Sequence, residues 1–234
     1  TTGYISHFYD WNGAHGLYDS LYPLYLTYLK FLNEDQEDKF NMFINLKYIA
    51  GWRFPGISSR DWVLDIFKTF CGGKLIKENN SNTYISENYK FEFFIAGNAL
   101  SGISSVNKHS VMNGKELNGL EKFRDRMMLK YNINQNINNE KIIIRIIDSR
   151  RYSPQEKSIL LQINNELNLR GYDSKYISWA QISSFKNKLE IMNKTDIHIA
   201  GAGTSMLNFP FLRNNKVHIN MGVSKIDSCN MPGL

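Results

Sequence analysis

From Lys141 to Gly222 the sequence alternates short apolar runs with longer amphipathic ones, and this constrains the fold more than any other feature. "KIIIRIID" reads as a strand, "SPQEKSILLQINNELNLRG" as a helix, "YDSKYISW" as a strand and "SSFKNKLEIMNK" as a helix. "DIHIAG", "TSMLNFPFLRN" and "KVHINMG" continue as strand, helix and strand. Strands joined through helices pair in parallel, and a parallel sheet is covered on both faces, so its strands are close to continuously apolar. A Rossmann-like layered sheet is expected. In such sheets ligands bind beyond the carboxyl ends of the strands. Two loops fall there, "DSRR" (Asp148–Arg151) after the first strand and "GAGTS" (Gly201–Ser205) after the third.

The N-terminal half is less regular. "WNGAHGLYDSLYPLYLTYLKFL", Trp11 to Leu32, places Leu17, Leu21, Leu24, Tyr25, Tyr28 and Leu29 at helical spacing after an Asn12-Gly13 start signal, with an interruption near Pro23. "MFINL" and "FEFFIAG" read as strands, "RDWVLDIFKTF" and "LNGLEKFRDRMMLKY" as helices, and Gly72 as part of a Gly-Gly turn. The Asn-rich run "NINQNINNE", Asn132 to Glu140, reads as a linker. A boundary there gives domains 1–135 and 136–234.

Composition then narrows the class. At 234 residues, 42% hydrophobic and 13% aromatic, the chain has material for a substantial core. It contains no run of about 18 apolar residues, so no membrane span is expected, and its first residues lack a signal-peptide pattern. The two cysteines, Cys71 and Cys229, match no metal or redox spacing and favour a reducing compartment. The net charge of +6 comes from scattered Lys and Arg, which argues for a phosphate-bearing ligand rather than nucleic acid.

The loops supply the candidate chemistry. Glycines at 201 and 203 let the backbone turn tightly and approach a ligand, while Thr204 or Ser205 caps the next helix and leaves its first N–H groups free for an anion. Arg150 and Arg151 hold a permanent charge and can grip a diphosphate through two N–H groups at once. Each loop alone also fits a plain turn at the end of a strand; together, at one sheet edge, they point to a nucleoside diphosphate. Near the N-terminus, His15 and Asp19 stand four residues apart on one helical face, a pairing that serves either as a general base or as local packing.

In order, these pieces resemble glycosyltransferase family 61. The residues carrying the resemblance are "GAHGLYDSLYP" with His15, Asp19 and Pro23, "LEKFRDRMM" with Arg124, "SRR" after a strand, "NNELNLRGY", and "SSFKNKLEIMNKTDIHIAGAGTSMLNFPFL". The chain departs from the family pattern at Ala200, where a His usually precedes Gly-Ala-Gly, and at Lys186 or Lys188, where the helix usually carries Gln. The resemblance implies an α/β fold of GT-B type, with two Rossmann-like domains facing a cleft, the first acceptor-side and the second nucleotide-sugar-binding. It implies inverting transfer of a sugar, xylose or N-acetylglucosamine, from a UDP-sugar to a hydroxyl of a glycan or glycoprotein. Asp19 or His15 is then the base, and Arg150, Arg151, Gly201, Gly203, Thr204, Ser205 and Asn208 hold the donor. Since no Asp-x-Asp motif is present, no metal is expected and no cofactor beyond the donor itself. The sequence shows no stem or anchor of the Golgi type, which favours the cytoplasm, host cytoplasm for a viral member, over the Golgi lumen.

Two other readings compete. A relative that binds glycan without transferring sugar would use the aromatic N-terminal half to pack sugar faces. A methyltransferase would use "DIHIAGAGTS" as a cofactor loop, but in that fold the Gly-rich loop follows the first strand, and here it follows the third.

Overall fold

The computed structural model describes residues 2–5, 13, 16–32, 41–45, 61–71, 75–78, 94–96, 111–112, 115–116, 119–201, 203 and 206–222. Two compact units emerge, Thr1–Asn132 and Ile133–Leu234. The Gly-Gly turn, His15, Thr204, Ser205 and Cys229 lie outside the described residues.

The first unit holds a four-stranded sheet of β1 (Thr2–Ile5), β2 (Asn41–Asn45), β3 (Leu75–Glu78) and β4 (Phe94–Ala96), in the order β3-β2-β1-β4. Every pairing in it is parallel. A π-helical segment, Gly16–Leu21, runs into α1 (Tyr22–Leu32), so the interruption expected near Pro23 is a change of helix type at that point. Pro23 sits at this junction, where it lacks the N–H that would bond back to the preceding turn, and the helix changes type there. Helix α2 spans Asp61–Phe70. A small antiparallel pair, β5 (Val111–Met112) with β6 (Lys115–Glu116), precedes α3 (Gly119–Lys130).

An aromatic core joins these helices. Tyr22 meets Phe123 edge-on at 5.3 Å, Tyr25 meets Phe70 edge-on at 5.1 Å, and Phe70 lies 5.1 Å from Phe123. Buried Arg126 stacks over Phe70 at 5.1 Å and donates from Nε to the Phe70 carbonyl at 3.1 Å, so its charge is both hydrogen-bonded and set on an aromatic face. Gly119 starts α3 without a side chain because a Cβ there would stand 2.6 Å from Leu26 Cδ1. Cys71 is buried with its thiol free, and burial pushes its pKa well up, leaving a small apolar residue rather than a reactive one.

The second unit follows the expected alternation: β7 (Ile143–Ile147), α4 (Pro154–Leu169), β8 (Asp173–Ile177), α5 (Phe185–Lys194), β9 (Ile197–Ala200) and β10 (Val217–Asn220). All pairings are parallel, in the order β10-β9-β7-β8. Ser153 and Glu156 close a capping box ahead of α4, with Pro154 in its first turn. Ile144, Ile146 and Leu160 form the core beneath α4, extended by Leu167, Tyr176, Ile197 and Ile199. One expected element differs. The run after "GAGTS" forms a 3-10 helix, Met206–Phe211, rather than an α-helix. Pro210 inside it removes a backbone donor and prevents continuation.

The Asn-rich run is not a free tether where it is described. Asn193 donates to the Asn134 carbonyl at 2.7 Å, Arg213 to the Ile137 carbonyl at 2.8 Å, and Asn139 to the Lys194 carbonyl at 2.9 Å, tying residues 134–139 to the second unit. Asp196 gathers the same edge. Its carboxylate accepts the Ile143 amide at 2.8 Å and Asn139 Nδ2 at 3.2 Å, and pairs with Lys216 at 2.8 Å and Arg213 at 3.5 Å. Burial alone would raise this carboxyl; Lys216, the Ile143 amide and Asn139 outweigh it and hold it below the ordinary range. Asp196→Ala leaves two cations and an amide without their acceptor. It is expected to destabilise the second unit by about 2–4 kcal/mol, read as faster hydrogen exchange of the β7 and β9 amides.

Candidate functional site at the sheet switch point

In the order β10-β9-β7-β8, the chain leaves β7 toward β8 on one side and returns to β9 on the other. The strand order therefore reverses between β7 and β9, the position in such sheets where ligands bind beside the loops that follow the two strands. Those loops are the two singled out by sequence, 148–151 and 201–205.

The structure brings them into contact. A Cβ on Gly203 would lie 3.5 Å from both Cζ and Nη1 of Arg151, so the guanidinium lies beside the face of the glycine that a side chain would occupy. Gly203 has φ +120°, a conformation that strains any residue with a side chain. A Cβ on Gly201 would come within 2.5 Å of the Tyr152 hydroxyl. Gly201 is thus required by the Tyr152 ring arriving from the β7 loop, and Gly203 by its own backbone conformation. That loop is a tight turn in which Tyr152 N donates to the Ser149 carbonyl at 3.1 Å and Arg151 N to Ser149 Oγ at 3.2 Å. Arg150 and Arg151 are both exposed.

Beside the arginines stands a group that the sequence reading passed over. Asp148 directly follows β7, and its carboxylate accepts the Tyr176 hydroxyl at 2.6 Å and pairs with Lys157 at 3.0 Å. Burial on its own raises the Asp148 carboxyl, but Tyr176 and Lys157 together draw it below the ordinary range, so it is ionised at neutral pH. Tyr176 shifts strongly upward, through burial and then through its bond to Asp148, and remains a donor. Burial likewise raises Tyr152, offset in part by the Gly201 backbone. The signal available in sequence was an acidic residue ending an apolar strand, with a Lys one helical turn into the next element.

Of the other expected site residues, Asn208 is half-buried in the 3-10 helix. Asp19 falls in the π-helical segment Gly16–Leu21 of the first unit. Arg124 is buried on α3, where it is held by Asp125 at 2.8 Å and Glu121 at 3.5 Å. Thr204 and Ser205 precede a helix of only 6 residues, so the helix-dipole contribution expected for an anion shrinks. Positive charge at these loops comes instead from the exposed Arg150 and Arg151, since Lys157 is paired with Asp148.

No protein-family model matches this sequence, and a search of curated proteins returns no match. Among the described residues, no helix is long and apolar enough to cross a membrane.

Proposed function

We propose that the chain is an inverting, nucleotide-sugar-dependent glycosyltransferase of GT-B type, taking xylose or N-acetylglucosamine from a UDP-sugar to a hydroxyl of a glycan or glycoprotein. The observation that carries this reading is the placement of Arg151 beside Gly203 at the switch point of a parallel sheet, where a diphosphate meets a permanent cation and bare backbone together. Arg150 and Arg151 hold the donor diphosphate, and the turn from Gly201 to Ser205 with Asn208 closes around it. Charge builds on the diphosphate as the glycosidic bond breaks, and fixed cations stabilise it most in the transition state. Asp19, with His15, takes the acceptor proton. The π-helical geometry around Asp19 supports a functional role, since such turns recur at functional sites.

The test is release of UDP from UDP-xylose and UDP-N-acetylglucosamine in the presence of simple glycan acceptors. Turnover is expected, and it is expected to persist in excess EDTA, because two arginines supply the charge that a divalent ion would otherwise bring. Loss of turnover in EDTA that manganese restores would contradict the arginine cradle. Absence of donor turnover with tight UDP binding would favour a binding protein instead.

A further inference from the structure

The middle of a central strand is an expensive place for arginine, yet β7 reads Ile-Ile-Arg-Ile-Ile. Arg145 is 7% exposed, and a guanidinium so buried must be paired to be tolerated. Asp173 at the start of β8 accepts from Nη2 at 3.2 Å, while Nη1 donates to the carbonyls of Asp173 at 2.8 Å and Ile144 at 2.9 Å. These bonds set the orientation of the fork and leave Nε–H without a partner among the described residues.

Side chains alternate across a strand, so Arg145 points away from Ile144, Ile146 and α4. Its register partner on β8, Lys175, points the same way. On that face lies an open pocket of about 410 Å³, lined by Arg145 and Lys175 of the sheet, by Glu190 and Lys194 on one stripe of α5, and by Gln181 and Ser183 of the segment between them. Among the described residues, neither Lys175, Lys194 nor Glu190 is held in an ion pair. Among the described residues, two ammonium groups and one carboxylate outside any ion pair therefore line a space large enough for a small metabolite, Lys175 from β8 and Glu190 with Lys194 from α5. No residue of the switch-point loops lines it.

We infer that this pocket binds a small dianion, a phosphate monoester or a dicarboxylate. Lys175 and Lys194 hold its charges, Arg145 Nε–H orients one of them, and Glu190 accepts a hydroxyl or amine of the same ligand. The site is separate from the donor-binding loops and does not depend on the glycosyltransferase reading. Amide and Arg Nε–H spectra of the ¹⁵N-labelled full chain, titrated separately with inorganic phosphate and with succinate, test it. Saturable shifts are expected at Arg145 Nε–H and at residues 181–183 and 187–194. The apparent Kd should rise at least roughly 10-fold in a Lys175→Gln, Lys194→Gln variant, since two charge contacts are removed. Both substitutions are outside the core, and the dispersion of the variant's spectrum checks that it is folded. The probe that saturates first identifies the ligand's acidic group. Shifts confined to residues 148–152 and 201–203, or shifts at the pocket that the double variant leaves unchanged, overturn the inference.

Discussion

Asp19→Asn is expected to lower kcat by roughly 10²- to 10⁴-fold, the range for loss of a general base, while UDP affinity changes little. A base acts mainly in the transition state, so its removal should appear in kcat rather than in donor binding. The substitution keeps the side chain's shape and removes its charge, and Asp19 belongs to a helical segment whose packing is supplied by buried neighbours, Leu17, Tyr18 and Leu21. His15→Ala separates the two roles. If Asp19 is the base and His15 positions it, the His15 variant should retain a rate with a shifted acid limb, whereas Asp19→Asn should flatten that limb. Equal and unimpaired rates in both folded variants would assign this segment to structure alone.

Acidification should unfold the second unit before its carboxylates titrate. His198 is 0% exposed on β9, its Nδ1 lies 2.9 Å from Nδ1 of His218 on β10, and Phe209 stacks on His218 at 5.2 Å. Only one of those two Nδ1 atoms can carry the shared proton, so the pair is stable with both rings neutral. Burial, then the neighbouring His218, draws the His198 pKa from 6.5 down to about 3, and burial lowers His218 as well. The sign follows from proton binding. Between these values the unfolded chain binds a proton that the folded unit refuses, so stability is full above pH 6.5 and falls as pH drops toward 3. The loss is about 1.4 kcal/mol per pH unit and on the order of 4 kcal/mol in all. Asp148, Asp173 and Asp196 are all shifted down, so their contribution is lost only as pH falls into the ordinary carboxylate range and does not enter between pH 7 and 5. Hydrogen exchange of the β9 and β10 amides between pH 7 and 5 should therefore accelerate beyond its intrinsic pH dependence, and His198→Leu should remove most of that excess. An unchanged pH dependence in the variant would assign the effect to other groups.

The second unit was legible because its strands and helices are long enough to show their periods and because its caps are local: Ser153 with Glu156, and Ser184, whose Oγ accepts from Asn187 N. In the first unit the three helices and the strands β2 and β4 were legible, but β1 and β3 were not. Strands β1 and β3 are 4 residues each, too short for an alternation to register, and their pairing partners lie tens of residues away. The loops carrying Arg151 and Gly203 were readable as strand ends; that the guanidinium lies beside the glycine is a tertiary fact. Asp148 and Arg145 were on the page as letters of an apolar strand, but their partners, Tyr176 and Asp173, sit 28 residues on and become neighbours only through the β7–β8 register. The α-helix expected after Gly203 failed because Pro210 overrode the apolar spacing.

The most direct test of the account is the position of UDP in crystals of the full chain soaked with the nucleotide. The account predicts diphosphate density against Arg150 or Arg151 and the backbone of Gly201 to Ser205, lost in crystals of Arg151→Ala. UDP bound elsewhere on the chain, with the β7 and β9 loops empty, would contradict it.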